Sequence, residues 1–285
     1  MVNAVLMRRQ QKNKQGESES NMNMTSVIEG RLKNIEQIGD LQILFACESG
    51  SRAWGLASLD SDYDVRFIYK RAPRHYISLH PSPDVWTEPM EEKLDIVGWD
   101  ITKALSLFQR SNPSLWEWLY SPIVYREQEQ FVNTLRKWVP KQYSQKRLMM
   151  HYQQMAQKQY KSLLNGGGKA PAKLALHLLR SLAVLRYMEL HATLPFISLW
   201  ETLEQIPEGE RLKMVAQGLV SEKEAEKSSM GKAEDSPDRP CQIQAYLQDL
   251  LPLEPTYFLA CIERLPDTQM EVTQLQELLW NELGL

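Results

Sequence analysis

Apolar positions along the chain recur with two different periods. Between Thr25 and Gly39, the residues Val27, Ile28, Leu32, Ile35 and Ile38 fall on one face at helical spacing. Thr25-Ser26 is placed to cap that helix and Gly39 to end it. Next comes Leu41-Gln42-Ile43-Leu44-Phe45-Ala46-Cys47, an apolar run of strand length that predicts a buried strand. Tyr63 to Tyr69 is apolar except for Asp64 and Arg66 and predicts a second; Lys93-Leu94-Asp95-Ile96-Val97 predicts a third. From Ile101 onward the pattern is helical almost without break. Leu105 and Phe108 share a face, Asn112-Pro113 restarts a helix at Leu115-Trp116-Glu117-Trp118-Leu119, and a further helix covers Pro171–Glu189.

Three stretches lack any period. The first 24 residues are polar and low in complexity and predict a disordered tail, with Met22 or Met24 as alternative starts. Gly166-Gly167-Gly168 predicts a flexible hinge between two long helices, and residues 226–240 a disordered excursion. Composition shifts near residue 140, from strands with mixed chemistry to helices. The chain therefore predicts an α+β domain over 25–140, with a small mixed sheet and flanking helices. An all-helical domain follows over 141–285.

With 43% hydrophobic and 24% charged residues in 285, a mostly disordered or fibrous chain is excluded. No apolar run approaches the roughly 20 residues that span a bilayer, so no membrane partner is expected. Cys47, Cys241 and Cys261 are odd in number and far apart, which argues against a disulfide framework or a cysteine-rich zinc site. Together these predict a cytoplasmic protein. The net charge of −3 gives no global basic field. A nucleic-acid partner would need a local patch, and Lys141, Lys146, Arg147, Lys158, Lys161, Lys169 and Lys173 make the middle of the chain locally basic.

One segment concentrates chemistry: Gly50-Ser51-Arg52-Ala53-Trp54-Gly55, then Asp60-Ser61-Asp62-Tyr63-Asp64-Val65-Arg66. On a strand, period two puts Asp62 and Asp64 on the same face. Two like charges that close raise each other's pKa unless a cation sits between them. Magnesium suits that position, since it takes oxygen ligands and is held by one or two carboxylates plus substrate phosphates. Gly50-Ser51 directly follows a strand, where free amides and a hydroxyl suit a polyphosphate. Arg66 shares the parity of Asp62 and Asp64, and either pairs with them or contacts phosphate. Asp60 reads as a turn residue. Trp54 reads as packing more than as a lid over a nucleobase. Trp116, Trp118, Trp138 and Trp200 read as core, and His75, His80, His151 and His191 show no metal-ligand spacing.

Taken together, these motifs resemble the nucleotidyltransferase superfamily of the DNA polymerase β type. Within it they resemble the branch of predicted nucleotidyltransferases linked to RNA repair. Gly98-Trp99-Asp100 and Asn112-Pro113 with Glu117-Trp118-Leu119-Tyr120-Ser121-Pro122-Ile123 extend the likeness, which covers roughly residues 27–190. The resemblance implies a nucleotidyltransferase fold. It also implies transfer of a nucleoside monophosphate from a nucleoside triphosphate to an acceptor hydroxyl on an RNA end, a protein or a small molecule. Three carboxylates would hold two magnesium ions, with manganese able to substitute. Asp62 and Asp64 match the paired ligands, and Gly50 and Ser51 the phosphate-contacting turn, flanked by Arg52. Asp95 is the preferred third ligand and Asp100 the alternative. Five apart on one strand they point to opposite faces, and Asp100 also suits a helix N-cap.

Lys173, His177 and Arg180 lie on one stripe of their helix. The resemblance favours Lys173 and Arg180 as a phosphate or nucleic-acid clamp; a solvated basic stripe is the alternative, and His177 is given no role. The competing reading of the whole chain is a non-catalytic nucleotide- or RNA-binding module, or an antitoxin-like module, on the same fold.

Overall fold

The structure is a computed structural model that describes residues 24–58, 61–80, 82–91, 93–165, 171–228 and 257–285. A first helix, α1, spans 24–39. It leads into β1 (Leu41–Glu48), the four-residue helix α2 (Gly50–Ala53) and β2 (Tyr63–Arg71). A short 3-10 turn (Pro73–His75) precedes β3 (Val85–Thr87) and β4 (Leu94–Asp100). Helices α3 (Ile101–Gln109) and α4 (Pro113–Leu119), strand β5 (Val124–Glu127) and α5 (Glu129–Gln142) complete the first half. The second half is helical: α6 (Gln145–Asn165), α7 (Ala172–His191), α8 (Leu199–Glu204), α9 (Gly209–Ser228), α10 (Leu259–Arg264) and α11 (Val272–Leu283).

The strands form one mixed sheet in the order β3-β4-β2-β1-β5. β1 pairs antiparallel with β2 and β5, β3 antiparallel with β4, and β2 parallel with β4. The three apolar runs of the sequence are its three central strands. The edge strands β3 and β5 carry no such signal: Val85-Trp86-Thr87 is too short for a period, and Val124-Tyr125-Arg126-Glu127 is half polar. Asn112 caps α4, its side chain accepting from Leu115 N, with Pro113 at the first helical position where no donor is needed. α9 continues to Ser228, into the stretch expected to be loop. The rest of that stretch, the Gly166-Gly167-Gly168 hinge, Asp60 and the N-terminal tail lie outside the described residues.

Both faces of the sheet are covered. Val65, Phe67 and Tyr69 of β2 and Leu94 and Ile96 of β4 pack with Ile28, Leu32 and Ile35 of α1. Leu44, Phe45, Cys47 and Ile68 face the other way, into a larger core that runs continuously through α3 to α7 and on to α11. The C-terminal helix returns to the sheet, where Lys70 Nζ donates to the Glu282 carbonyl (2.5 Å) and carboxylate (3.1 Å). No helix among the described residues is long and apolar enough to cross a membrane.

Candidate active site

Alternation along β2 decides where its polar residues go. Odd-numbered Val65, Phe67 and Tyr69 face α1, so Asp64 and Arg66 face the helical half of the molecule together with Ile68. In the parallel pairing of β2 with β4, Asp64 lies opposite Asp95. The two carboxylates share one guanidinium: Arg66 Nη2 lies 3.2 Å from Asp64 Oδ1 and 2.7 Å from Asp95 Oδ2. Arg66 Nη1 also donates to the carbonyls of Val65 and Asp95, at 3.0 Å each. Arg66 is thus a partner of the carboxylates. Asp95 stands beside Asp64, while Asp100 is turned away into another task. Its carboxylate accepts from Thr102 N (2.9 Å) as the N-cap of α3 and from the Tyr76 hydroxyl (3.0 Å).

Asp62 sits one residue before β2 and is exposed. Its carbonyl accepts from Arg52 Nε (3.2 Å), whose Nη2 donates to Ser61 O (2.8 Å) and whose guanidinium lies 3.6 Å from the centre of the Tyr63 ring. Gly50 has φ +61, and a Cβ there would lie 2.2 Å from Asp64 Oδ2. Any other residue would be strained at that φ and would push the Asp64 carboxylate aside. Ser49 N donates to Asp64 O (2.8 Å), tying the turn to β2. Burial pushes the Asp64 carboxyl above its usual range, against Arg66; Asp95 and Asp62 add repulsion, and Lys173 offsets part of it. Lys173, exposed on the first turn of α7, therefore brings a positive charge to this corner.

Arg180, two turns further along α7, is 2% exposed. Its Nη2 lies 2.9 Å from Glu117 Oε1, and its guanidinium 4.2 Å from the centre of the Trp54 ring. Trp54 Nε1 donates to Glu117 Oε2 (3.0 Å), and the Tyr152 hydroxyl donates to Glu117 Oε1. His177 meets the Trp54 ring edge-on at 5.4 Å, and burial, with Lys173, Arg180 and Lys223 around it, pushes its pKa down to about 4. The stripe on α7 is thereby divided: Lys173 is exposed and adds positive charge on the side of Asp64, whereas Arg180 is committed to a buried ion pair behind Trp54.

Four side chains around the site escape a reading of the sequence. Glu48 ends β1 fully buried, its Oε1 accepting from Asp64 N (2.8 Å) and its Oε2 from the Tyr125 hydroxyl (2.5 Å). Lys223 of α9 donates to Leu56 O (2.9 Å), across the chain from the site. Glu48 and Glu117 did carry a signal, an acid inside an otherwise apolar run. Tyr125 and Lys223 carry none, since only the fold brings them here.

Burial raises the Glu48 pKa from 4.5 to about 7, against the hydrogen bonds from Tyr125 and Asp64. Between those values the unfolded chain is ionised and the folded one protonated, so stability falls as pH rises through the window. The loss amounts to about 3 kcal/mol. Glu48→Gln keeps an acceptor for Asp64 N and a partner for Tyr125 but removes the titration. Its urea-unfolding free energy should change less between pH 4.5 and 8 than that of the parent protein, and parallel pH profiles would refute the assignment.

Asp64 and Asp95 offer hard oxygen donors of the kind magnesium takes, with a cation already between them. Among the described residues no group of three or more His, Cys, Asp or Glu side chains converges closely enough to hold a metal ion. The acids therefore suit a divalent ion in kind, with the Arg66 guanidinium standing where they meet.

The chain is similar to known proteins over most of its length. The uncharacterized protein YcgL of Bacillus subtilis (strain 168) is 38% identical over 200 residues, 70% of this chain and 76% of that one. A solved nucleotidyltransferase-like protein from Exiguobacterium sibiricum 255-15 is 12% identical. The match covers 90% of this chain and 87% of that one, with a TM-score of 0.31. Residues 24–255 match a family described as the RNA repair pathway DNA polymerase beta family, and the chain belongs to that family.

Proposed function

We propose that the protein transfers a nucleoside monophosphate from a nucleoside triphosphate to an acceptor hydroxyl, in the cytoplasm and with magnesium as cofactor. The observation that carries this reading is the pair Asp64 and Asp95, adjacent across parallel strands and sharing one cation, with the Gly50 turn pressed against Asp64. Asp64 and Asp95 would hold the metal once Arg66 yields, and exposed Asp62 would complete the set. A bound pair of magnesium ions supplies Lewis-acid charge to the entering and leaving oxygens. Main-chain groups of Gly50 and Ser51 contact the triphosphate. Arg52 holds the Ser61–Asp62 backbone in register. Arg66, released from the acids, and Lys173 face the phosphates. Arg180 acts through Trp54, which it stacks against, and positions the end of the turn.

Incubation with each α-labelled nucleoside triphosphate and magnesium tests the reading, with an RNA or the protein itself as acceptor. Label should move to an acceptor with release of pyrophosphate, and chelation should stop it. A non-catalytic nucleotide-binding module is the competing reading. It is favoured by the Arg66 bridge, which already neutralises the acids. Nucleotide binding without transfer to any acceptor would establish it instead.

A further inference from the structure

The chain as a whole holds more acids (36) than bases (33), yet α6 carries Lys146, Arg147, Lys158 and Lys161 and no Asp or Glu in 21 residues. Beside the exposed Met150, Ser162 and Leu164, its solvent side carries a polar stripe at spacings of four and three: Arg147, His151, Gln154, Lys158, Lys161 and Asn165. All but the half-buried Arg147 are exposed. The charge on that stripe is graded. Arg147 Nε is paired with Asp267 Oδ1 at 2.9 Å. Although His151 is exposed as a residue, partial burial of its ring holds the pKa below its usual value, with Glu117 opposing this, so at neutral pH the imidazole adds little charge. Lys158 and Lys161 have no carboxylate partner among the described residues.

The positive end of the stripe is also the end nearest the candidate site. α6 and α7 are joined by a short connection, which makes them antiparallel neighbours. They are packed together where Ser181 Oγ donates to Gln159 Oε1 (2.9 Å) and where Arg180 lies over the Tyr152 ring. The last turns of α6 therefore lie at the same end of the pair as the first turn of α7. That turn carries Lys173, whose charge reaches Asp64. From Arg147 to Lys161 the stripe is about 21 Å long, at 1.5 Å per residue. Along it, free positive charge appears only on the approach to the carboxylates.

We infer that this outer face of α6 is the landing track for the sugar-phosphate backbone of a single-stranded nucleic acid, with Lys158 and Lys161 contacting phosphates and the strand end delivered past Lys173. Extended, regularly spaced anions fit a stripe of cations and amides without an acid to repel them. The inference names the acceptor class for the site described above and rests on that reading. Binding is measured without turnover, so each can fail separately.

The test is fluorescence anisotropy of the full chain with a 5′-labelled single-stranded RNA 12-mer, titrated at several salt concentrations. Lys158→Gln with Lys161→Gln should weaken binding about tenfold and flatten the salt dependence by about 0.7 log units per lysine. Lys137→Gln with Lys141→Gln removes the same charge from α5 and should change little. An unlabelled polyglutamate peptide of equal charge should compete at least tenfold less well than RNA. The proposal is overturned if the parent protein does not bind at low salt, if the α6 double variant binds as well as the parent, if the α5 control loses as much, or if polyglutamate competes equally. Because Lys158 and Lys161 are exposed, an unchanged melting temperature separates lost binding from lost folding.

Discussion

Asp64→Asn should reduce nucleotide transfer by about a thousandfold or more, while the melting temperature stays level or rises. The two halves of this expectation come from the same geometry. Asp64 is where the elements of the corner meet: Glu48 accepts from its amide, Ser49 donates to its carbonyl, Gly50 is pressed against its carboxylate and Arg66 ties it to Asp95. Removing its charge removes part of the stabilisation of the developing phosphate charge, worth about 4 kcal/mol, each tenfold in rate being about 1.4 kcal/mol. Stability moves the other way. The carboxyl is pushed above its usual range chiefly by burial, so the ionised form is the strained one in the folded chain. Asparagine keeps an oxygen for Arg66, whose shorter contact is in any case with Asp95. Asp95→Asn should lose activity similarly. Asp100→Asn should keep it, because asparagine caps α3 nearly as well as aspartate. Transfer assays beside thermal melts of the three variants check the set. Activity surviving in Asp64→Asn, or lost only in Asp100→Asn, would mean that the acids have been assigned to the wrong roles.

The central fold and half of the site were legible because both follow from period. β1, β2 and β4 are apolar runs, and parity alone sends Asp64 and Arg66 to one face; the parallel register of β2 with β4, which period does not give, sets Asp95 beside them. The N-cap of α3 was legible for the same reason: Asp100 follows a strand and opens an amphipathic helix. Asp62 departs from that logic. β2 begins at Tyr63, so parity does not fix the Asp62 side chain. The edge strands were invisible because each is held by one neighbour and buries little. The α7 stripe was legible as spacing but not as depth. Lys173 and Arg180 look alike in sequence, and only packing between α4, α6 and the turn after α2 makes one an exposed cation and the other a buried one. Glu117 explains the difference: α7 can bury an arginine because an acid on α4 waits for it.

Glu117→Ala should be the most destabilising single change around the site, by about 3–5 kcal/mol, because it leaves the Arg180 charge buried without a partner. Three donors lose their acceptor together: Trp54 Nε1 from the turn after α2, the Tyr152 hydroxyl from α6 and Arg180 Nη2 from α7. Arg180 Nε is buried and has no partner, so the guanidinium is already under-satisfied before the carboxylate is removed. Water cannot easily enter to replace the carboxylate, since Arg180 is closed in by the Trp54 and Tyr152 rings. Charge removed from both sides behaves differently. Glu117→Leu combined with Arg180→Met replaces the pair by apolar side chains of similar volume and should recover most of the loss, because neither desolvated charge remains. The double variant should nevertheless lose turnover, since the indole N–H of Trp54 no longer has a fixed partner and the turn carrying Gly50 and Ser51 is released at its far end. Urea unfolding of the two single variants and the double, with transfer measured on each, separates these effects. A loss under about 1 kcal/mol in Glu117→Ala, or a double variant no more stable than the worse single, would show that the pair contributes through packing and not through charge.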